Sequence, residues 1–193
     1  MGNGGNSVAF FIIIGYHANM GYNLQKNSNF LGFYYLDKQY ADYLRNPQIG
    51  DEHVPETDYG NRDKFFIGAV ITVNGLKYYA PVSSYTGQND ATFNIRDAHG
   101  KIISSVRLNY MFPVVDGVYT KLEINKLPYS YSRLVLSEYQ YCNKHRNDIV
   151  GLAEKIYSLR ANGQSRTGDK MYINDFVKLE KAAANYINNV SNF

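Results

Sequence analysis

The chain has 193 residues, of which 45% are hydrophobic and 19% are charged, and its formal net charge is +3. This length suits one domain whose core needs no disulfide or structural metal, and the composition excludes a mostly disordered chain. The single cysteine, Cys142, excludes an internal disulfide and a cysteine-rich zinc site. It is typical of a reducing compartment, so we expect the protein to be cytoplasmic.

The beginning of the chain is expected to lie outside the domain. Residues 1–29 are assigned to an N-terminal extension that is either non-native or poorly ordered, and residues 30–193 to a single domain. The extension contains the apolar run Val8–Ile14, which is too short to cross a bilayer and has no cationic segment before it. The sequence therefore predicts neither a signal peptide nor a membrane anchor.

The first predicted elements of the domain are a short strand and a helix. The run Phe33–Leu36 is typical of a strand, and Asp37 after it is suited to cap a helix that contains Tyr40 and Leu44. Residues 46–63 are polar, include two prolines and show neither the helical nor the strand spacing of apolar residues. They are predicted to form a loop that can close over a site.

A β-hairpin is predicted next, and it is the most informative part of the chain. Two β-rich runs flank Asn74-Gly75, a dipeptide that tolerates positive φ and suits a two-residue turn. Because antiparallel residues equally distant from the turn lie side by side, the hairpin brings Lys64 close to Ser83 and Ser84. The sequence therefore predicts that a cation and two hydroxyl groups converge there.

The second half of the domain is predicted to contain further strands and then helices. Strands at such short spacing pair locally, which predicts an antiparallel sheet without helical crossovers. The apolar spacing from Tyr131 onward predicts a long helix, or two in series with Gly151 as the weak point, and another helix begins near Asn174. The predicted fold is α+β, with the helices packed on the sheet. The predicted strands are residues 92–95, 102–109, 111–115 and 119–124.

Several common catalytic motifs are absent from the sequence. No glycine-rich nucleotide loop and no HExxH motif occur, and the four histidines lack ligand spacing. Neither a metal nor a cofactor is therefore predicted. Ser83 and Ser84 lie in no GxSxG elbow and have no plausible neighbouring histidine and aspartate, which argues against a serine hydrolase.

Four sequence blocks resemble one known family. They are the aromatic-Tyr-x-Leu start at residues 33–36 with its following tyrosines, Lys64-Phe-Phe-Ile-Gly, residues 77–84 (Lys-Tyr-Tyr-Ala-Pro-Val-Ser-Ser), and Tyr131-Ser-Arg-Leu. In these blocks the chain resembles the ToxN/AbiQ family, the endoribonuclease toxins of type III toxin–antitoxin systems, over about residues 33–186. The hairpin with its Ala-Pro-x-Ser-Ser block is the most specific part. The resemblance implies a compact, twisted antiparallel sheet of the MazF-like barrel type.

The resemblance also implies an activity and its control. Family members cleave RNA without metal, which implies attack by a ribose 2′-hydroxyl that leaves a 2′,3′-cyclic phosphate. Each is held inactive by a small repeat RNA that the toxin itself cuts from a longer precursor. The expected partners are a pseudoknotted RNA antitoxin, in a closed ring of alternating protein and RNA, and a cellular or phage RNA substrate. A role in phage abortive infection follows.

The resemblance places six residues at catalytic positions of the family. Ser83 stands in for a threonine, the match at Tyr59 allows one extra residue in the loop, and Thr86 lies where the family has a lysine. Chemically, Lys64 can stabilise charge or orient the 2′-hydroxyl, and the serines can donate hydrogen bonds to phosphate oxygens. Because position 86 has no positive charge, either Lys64 alone stabilises the charge of the reaction, or Lys77 or Arg62 takes the place of the missing lysine. The catalytic candidates are Tyr40, Tyr59, Lys64, Ser83, Ser84 and Thr86.

Basic and aromatic side chains are expected to bind RNA through phosphate contacts and base stacking. Sequence does not show whether the cations cluster, so a plain solvated helix face is an equal alternative. Two functional alternatives stay open: a non-catalytic RNA-binding module, which the missing lysine favours, and a MazF-type toxin with a protein antitoxin. The RNA-binding candidates are Arg62, Lys77, Arg107, Lys121, Arg133, Lys144, Arg146 and Arg160.

Overall fold

The computed structural model describes residues 23–26, 30–58, 60, 63–87, 89–167 and 171–190. Within these ranges the chain forms an eight-stranded antiparallel sheet, a two-stranded ribbon and four α-helices. The strands are β1 Leu24–Lys26, β2 Gly32–Leu36, β3 Phe65–Val73, β4 Leu76–Ser83, β5 Thr92–Arg96, β6 Ile102–Arg107, β7 Phe112–Val114, β8 Tyr119–Lys121, β9 Arg166–Thr167 and β10 Met171–Tyr172. The helices are α1 Lys38–Arg45, α2 Tyr129–Lys144, α3 Arg146–Ala161 and α4 Phe176–Val190.

The large sheet has the order β5-β6-β4-β3-β2-β8, with β1 added to β3 and β7 added to β4. All of its pairings are antiparallel, which confirms the predicted α+β class. No pairing among the described residues joins β5 to β8, so this part of the chain forms an open sheet. The expected closure into a MazF-like barrel is therefore not found.

The predicted hairpin is confirmed as β3 and β4. Its register places Val73 opposite Leu76 and Phe66 opposite Pro81. The two turn residues both have positive φ, 50° at Asn74 and 84° at Gly75, as a two-residue hairpin turn requires. The sequence signal at the turn thus sets the register from Val73 to Ile71, and an irregularity between Gly68 and Ile71 shifts the pairing by two residues beyond that point.

Helices cover both faces of the sheet, so β3 is buried on two sides. Successive side chains of a strand point to opposite faces. Phe65 accordingly belongs to a core cluster that includes Val135 of α2 and Ile149 of α3. Phe66 belongs to a second cluster, which includes Leu44 of α1 and Leu179 of α4. This double burial explains why β3 reads as a nearly continuous apolar run.

The long helical region divides at a different residue from the one predicted. Two helices in series are confirmed, but the break is at His145, which has φ −105° and ψ 25°, and Gly151 lies inside α3. The carbonyl of His145 accepts hydrogen bonds from the amides of Asp148 and Ile149, which starts the new helix. The assignment of Gly151 as the weak point was wrong because one glycine costs a helix interior only about 1 kcal/mol.

The start of α1 agrees with the sequence, and the first described strand lies before it in the chain. Asp37 caps α1 as predicted, since its side chain accepts a hydrogen bond of 3.0 Å from the Tyr40 amide. However, Leu24–Lys26 pairs with β3, so the sheet begins inside the segment assigned to the extension. The run Val8–Ile14 lies outside the described residues. No helix in the described ranges is both long enough and apolar enough to cross a membrane.

Candidate active site

Lys64, Ser83 and Ser84 line one cleft with a volume of about 210 Å³. The hairpin register explains this arrangement: Phe66 is opposite Pro81, and Lys64 and Ser83 lie two residues further along their respective strands. The predicted convergence of the cation and the hydroxyl groups is therefore found. The other walls of the cleft are formed by Asp63, Phe65, Val82, Ile103, Ser104, Tyr131, Leu134 and Glu138.

The serine loop is held by β6, with which the end of β4 pairs. Ser83 is opposite Ser105 in this pairing. The Ser83 hydroxyl accepts a hydrogen bond of 3.2 Å from the Tyr85 amide, and the Ser105 hydroxyl donates one of 2.6 Å to the Tyr85 carbonyl. Ser83 thus has a structural role in the turn, while Ser84 is exposed at the cleft.

Lys64 lies half-buried at the start of the hairpin. Its amide donates a hydrogen bond of 2.8 Å to the carbonyl of Thr57, which ties the preceding loop to the cleft. Burial lowers the pKa of the Lys64 ammonium, and the nearby positive charge of Arg107 lowers it further. A lysine with a lowered pKa gives up its proton more readily than an exposed one.

Glu138 also lines the cleft, and the sequence analysis did not identify it. Its side chain is 4% exposed, and burial raises the pKa of its carboxyl group, partly offset by Ser104. A sequence signal was available, because Glu138 lies three residues after Val135 and four before Cys142, on the buried stripe of α2. A charged residue on such a stripe is a site candidate.

No group of three or more histidine, cysteine, aspartate or glutamate side chains within the described ranges is arranged to hold a metal ion. The cleft contains two carboxyl groups, Asp63 and Glu138, and one ammonium group, Lys64. Its chemistry therefore combines a buried acid, a half-buried lysine and hydroxyl donors.

The structure does not bring Tyr40 into this cleft. Its side chain is fully buried, its hydroxyl donates a hydrogen bond of 2.9 Å to the carbonyl of Pro113, and its ring packs on Tyr186 of α4 at 4.9 Å. Burial raises the pKa of Tyr40, which keeps the phenol protonated. The described structure thus places Tyr40 in the core between α1 and α4 and outside the cleft lining, and its catalytic assignment stays a prediction.

Two other catalytic candidates remain, Thr86 and Tyr59. Thr86 is exposed in the loop after β4, and it is not among the lining residues. Tyr59 lies outside the described residues, as does the RNA-binding candidate Arg62.

Two of the predicted RNA-binding cations already have carboxylate partners. The Lys77 ammonium lies 3.0 Å from Asp116, and Arg160 forms an ion pair with Asp175. Lys77 is also six residues before Ser83 in the same strand, which corresponds to about 20 Å. The suggestion that Lys77 supplements Lys64 is therefore wrong.

The remaining candidates on helices and on β8 are spread over the molecule. Lys121 is exposed in β8 opposite Tyr34 of β2, and Lys144 is exposed near the end of α2. Arg133, near the beginning of α2, lies over the ring of Tyr129 at 5.9 Å. Arg146 is partly buried at the start of α3. Because these four residues do not lie together on one surface element, their role in RNA binding stays a prediction.

Arg107 is the candidate that the fold brings to the serine loop, where it contacts Tyr85. Its guanidinium group lies between two tyrosine rings, 4.9 Å from the centre of Tyr85 and 4.5 Å from that of Tyr110. Arg107 is at the end of β6, the strand that pairs with the serine end of β4. The second cation near the cleft therefore comes from β6.

Two curated relatives are similar to this chain over most of their length. The endoribonuclease ToxN of Bacillus thuringiensis subsp. kurstaki is 25% identical over 167 residues, which cover 80% of this chain and 83% of the relative. The endoribonuclease ToxN of Pectobacterium atrosepticum is 23% identical over 145 residues, which cover 68% of this chain and 82% of the relative.

Solved structures share the fold. One is a structure from work on selective toxin inhibition by a non-coding RNA pseudoknot in bacterial type III toxin–antitoxin systems. Its TM-score with this chain is 0.70 and its sequence identity is 21%, and the match covers 82% of this chain and 99% of that one. The lactococcal anti-phage endoribonuclease AbiQ has a TM-score of 0.65 and 18% identity, covering 83% and 99%. A sequence model of the family "Toxin ToxN, type III toxin-antitoxin system" matches residues 32–184. The chain therefore belongs to the ToxN family of type III toxin–antitoxin toxins.

Proposed function

We propose that this chain, an endoribonuclease of the ToxN family, cleaves RNA without a metal ion. In the proposed reaction a ribose 2′-oxygen forms a bond to the adjacent phosphorus, the bond from phosphorus to the 5′-oxygen breaks, and the products are a 2′,3′-cyclic phosphate and a 5′-hydroxyl. The observation that carries the proposal is the single cleft that contains Lys64, Ser83, Ser84 and Glu138.

The side chains of the cleft match the needs of this reaction. Glu138 accepts the proton of the 2′-hydroxyl, because a carboxyl group with a raised pKa is a suitable general base near neutral pH. Lys64 stabilises the charged phosphorane and gives a proton to the departing 5′-oxygen. Ser84 donates a hydrogen bond to a non-bridging oxygen, and Ser83 shapes the loop that presents it.

The proposal includes control by RNA. We infer that a small repeat-derived RNA, cut by the toxin from its own precursor, remains bound over the cleft and inhibits it. The assembly would be a closed ring of protein and RNA in the cytoplasm, released during phage infection. The solved relative in which a non-coding RNA pseudoknot inhibits the toxin supports this inference through the shared fold.

A non-catalytic RNA-binding module is the second candidate function. The observation that favours it is the exposed Thr86, a neutral residue in the loop that carries the serines. A MazF-type toxin with a protein antitoxin is a further alternative. An array of short DNA repeats upstream of the gene, in place of an antitoxin reading frame, would exclude it.

The test is cleavage of a short unstructured RNA by the purified chain in EDTA. We expect a 2′,3′-cyclic phosphate by mass spectrometry, and we expect Lys64→Ala to cleave at least about 100-fold more slowly. Lys126→Ala is the matched control, since this exposed lysine pairs only with its helical-turn neighbour Glu123. RNA that stays intact, or a Lys64→Ala variant that cleaves at the parent rate, would overturn the proposal.

A further inference from the structure

Arg107 is held in an unusual environment for a surface cation. The rings of Tyr85 and Tyr110 flank its guanidinium group at 4.9 and 4.5 Å. Its Nε is buried and has no hydrogen-bond partner among the described residues. The two rings contact the faces of the planar group, so the nitrogen atoms along its edge are the part that can donate to a ligand.

The position of this side chain is fixed from both ends. Arg107 ends β6, opposite Thr92 of β5, and a single turn of 3₁₀ helix follows it and carries Tyr110. On the other side, the backbone of Tyr85 is held by two hydrogen bonds: its amide donates to the Ser83 hydroxyl, and its carbonyl accepts from the Ser105 hydroxyl. The cation is therefore oriented by the same loop that presents the candidate catalytic hydroxyl groups.

The positive charge of Arg107 influences the cleft. The charge of Arg107 acts on Lys64 and helps to lower the pKa of the lysine. Like charges brought together in a folded chain repel each other, and an anion placed between them relieves the repulsion. A phosphate group pairs with the edge of the guanidinium group of Arg107 and offsets the positive charge there.

Tyr85 adds a surface for a base. Its side chain is 49% exposed although one face of the ring contacts Arg107. Exposed aromatic rings beside cations are the usual platform on which single-stranded RNA stacks its bases. A nucleotide offers both complementary groups at once, since it joins a flat base to a phosphate.

We propose that Arg107 and Tyr85 form a nucleotide subsite beside Ser84, in which Arg107 binds one RNA phosphate and Tyr85 stacks the attached base. This inference rests on the proposed function, because it identifies the ligand as the single-stranded RNA flanking the cleavage point. The subsite binds phosphate and stacks any base, so it contributes affinity and register with little sequence preference.

The test separates binding from cleavage. The probe is a ten-nucleotide RNA of mixed sequence carrying 2′-O-methyl groups throughout, which blocks attack at every position, and its Kd is measured by fluorescence anisotropy over a range of salt concentrations. Arg107→Gln should bind about tenfold more weakly and lower the slope of log affinity against log salt by roughly 0.7, the value for one phosphate of a single strand.

The tyrosine variants examine the second contact. Tyr85→Ala should weaken binding by about 5- to 100-fold, as loss of one stacked base does. Because tyrosine is neutral, the slope of log affinity against log salt should stay that of the parent. Tyr85→Phe should bind like the parent. Arg96→Gln is the matched control: Arg96 ends the neighbouring strand β5, and its side chain donates to the carbonyl of Gly100.

The outcomes distinguish this inference from the proposed function. If the parent cleaves unmodified RNA but Arg107→Gln and Tyr85→Ala bind the probe with the parent affinity and salt slope, the subsite is wrong and the nuclease stands. If the variants weaken binding as expected but the parent cleaves nothing, the subsite stands and the nuclease is wrong. Circular dichroism establishes that each variant is folded, and Tyr85, in an exposed loop, provides the variant least dependent on the core.

Discussion

Replacing Tyr40 by phenylalanine separates a structural role from a catalytic one. The substitution removes the hydroxyl that donates to the Pro113 carbonyl at 2.9 Å and keeps the ring that packs on Tyr186. Because the site is fully buried, the carbonyl loses a partner that water does not replace, which costs about 1–2 kcal/mol. For a chain of this length that corresponds to a fall in Tm of about 2–8 °C.

The assay pairs urea unfolding with RNA cleavage, measured well below the Tm so that both proteins are folded. We expect a lower urea midpoint and a cleavage rate within about twofold of the parent. Tyr43→Phe is the control, since Tyr43 is half-buried on the same helix and also packs on Tyr186. A 100-fold loss of cleavage at unchanged stability would refute this reasoning and support Tyr40 as a catalytic residue.

Three further predictions concern stability. Burial raises the pKa of Glu138 above the ordinary value of 4.5, so the stability of the protein falls as the pH rises through and above that value. Glu138→Gln should remove this fall, so the variant should be the more stable protein at pH 8 but not at pH 4.5. The gain at pH 8 should be about 1.4 kcal/mol for each pH unit that separates the folded pKa from the unfolded one. An equal gap at both pH values would contradict this reasoning. Asn143→Ala should cost about 2 kcal/mol in urea unfolding and expose the Leu31 amide to hydrogen exchange, because the Asn143 side chain pairs with both backbone groups of Leu31. Gly50→Ala should lower the free energy of unfolding in urea by about 1–3 kcal/mol, since its Cβ would lie 1.9 Å from the Leu44 carbonyl oxygen, and parent-like unfolding would disprove that contact.

The parts of the fold that the sequence predicts are those with local signals. Asn74-Gly75 specifies the turn, which brings Lys64 to the serine end of β4, but the alignment of Lys64 with Ser83 itself also depends on a register shift between Gly68 and Ile71 that the sequence does not mark. Asp37 likewise marks the start of α1 through its cap. Each signal acts within a few residues of the element that it controls.

The helix break shows what local signals miss. Glycine is the weakest helix former inside the predicted helix, so Gly151 was the reasonable place to divide it. The division at His145 instead accompanies tertiary contacts, since Asn143 binds the backbone of Leu31 and the ring of His145 packs near that of Phe93 of β5 at 6.0 Å. Tertiary contacts outweigh a propensity difference of about 1 kcal/mol.

The candidate site itself depends on one strand that changes partners. At Lys77 to Tyr79, β4 pairs with β7, but at Val82 and Ser83 it pairs with β6. The change places Ser83 opposite Ser105 and brings Arg107 to Tyr85 of the serine loop, although Arg107 is far from that loop in sequence. Such a partner change leaves no mark on the alternation of apolar residues, which is the same beside either strand. The sequence could therefore identify the lysine and the serines of the hairpin, while Glu138 and the placement of Arg107 required the sheet order and the packing of α2.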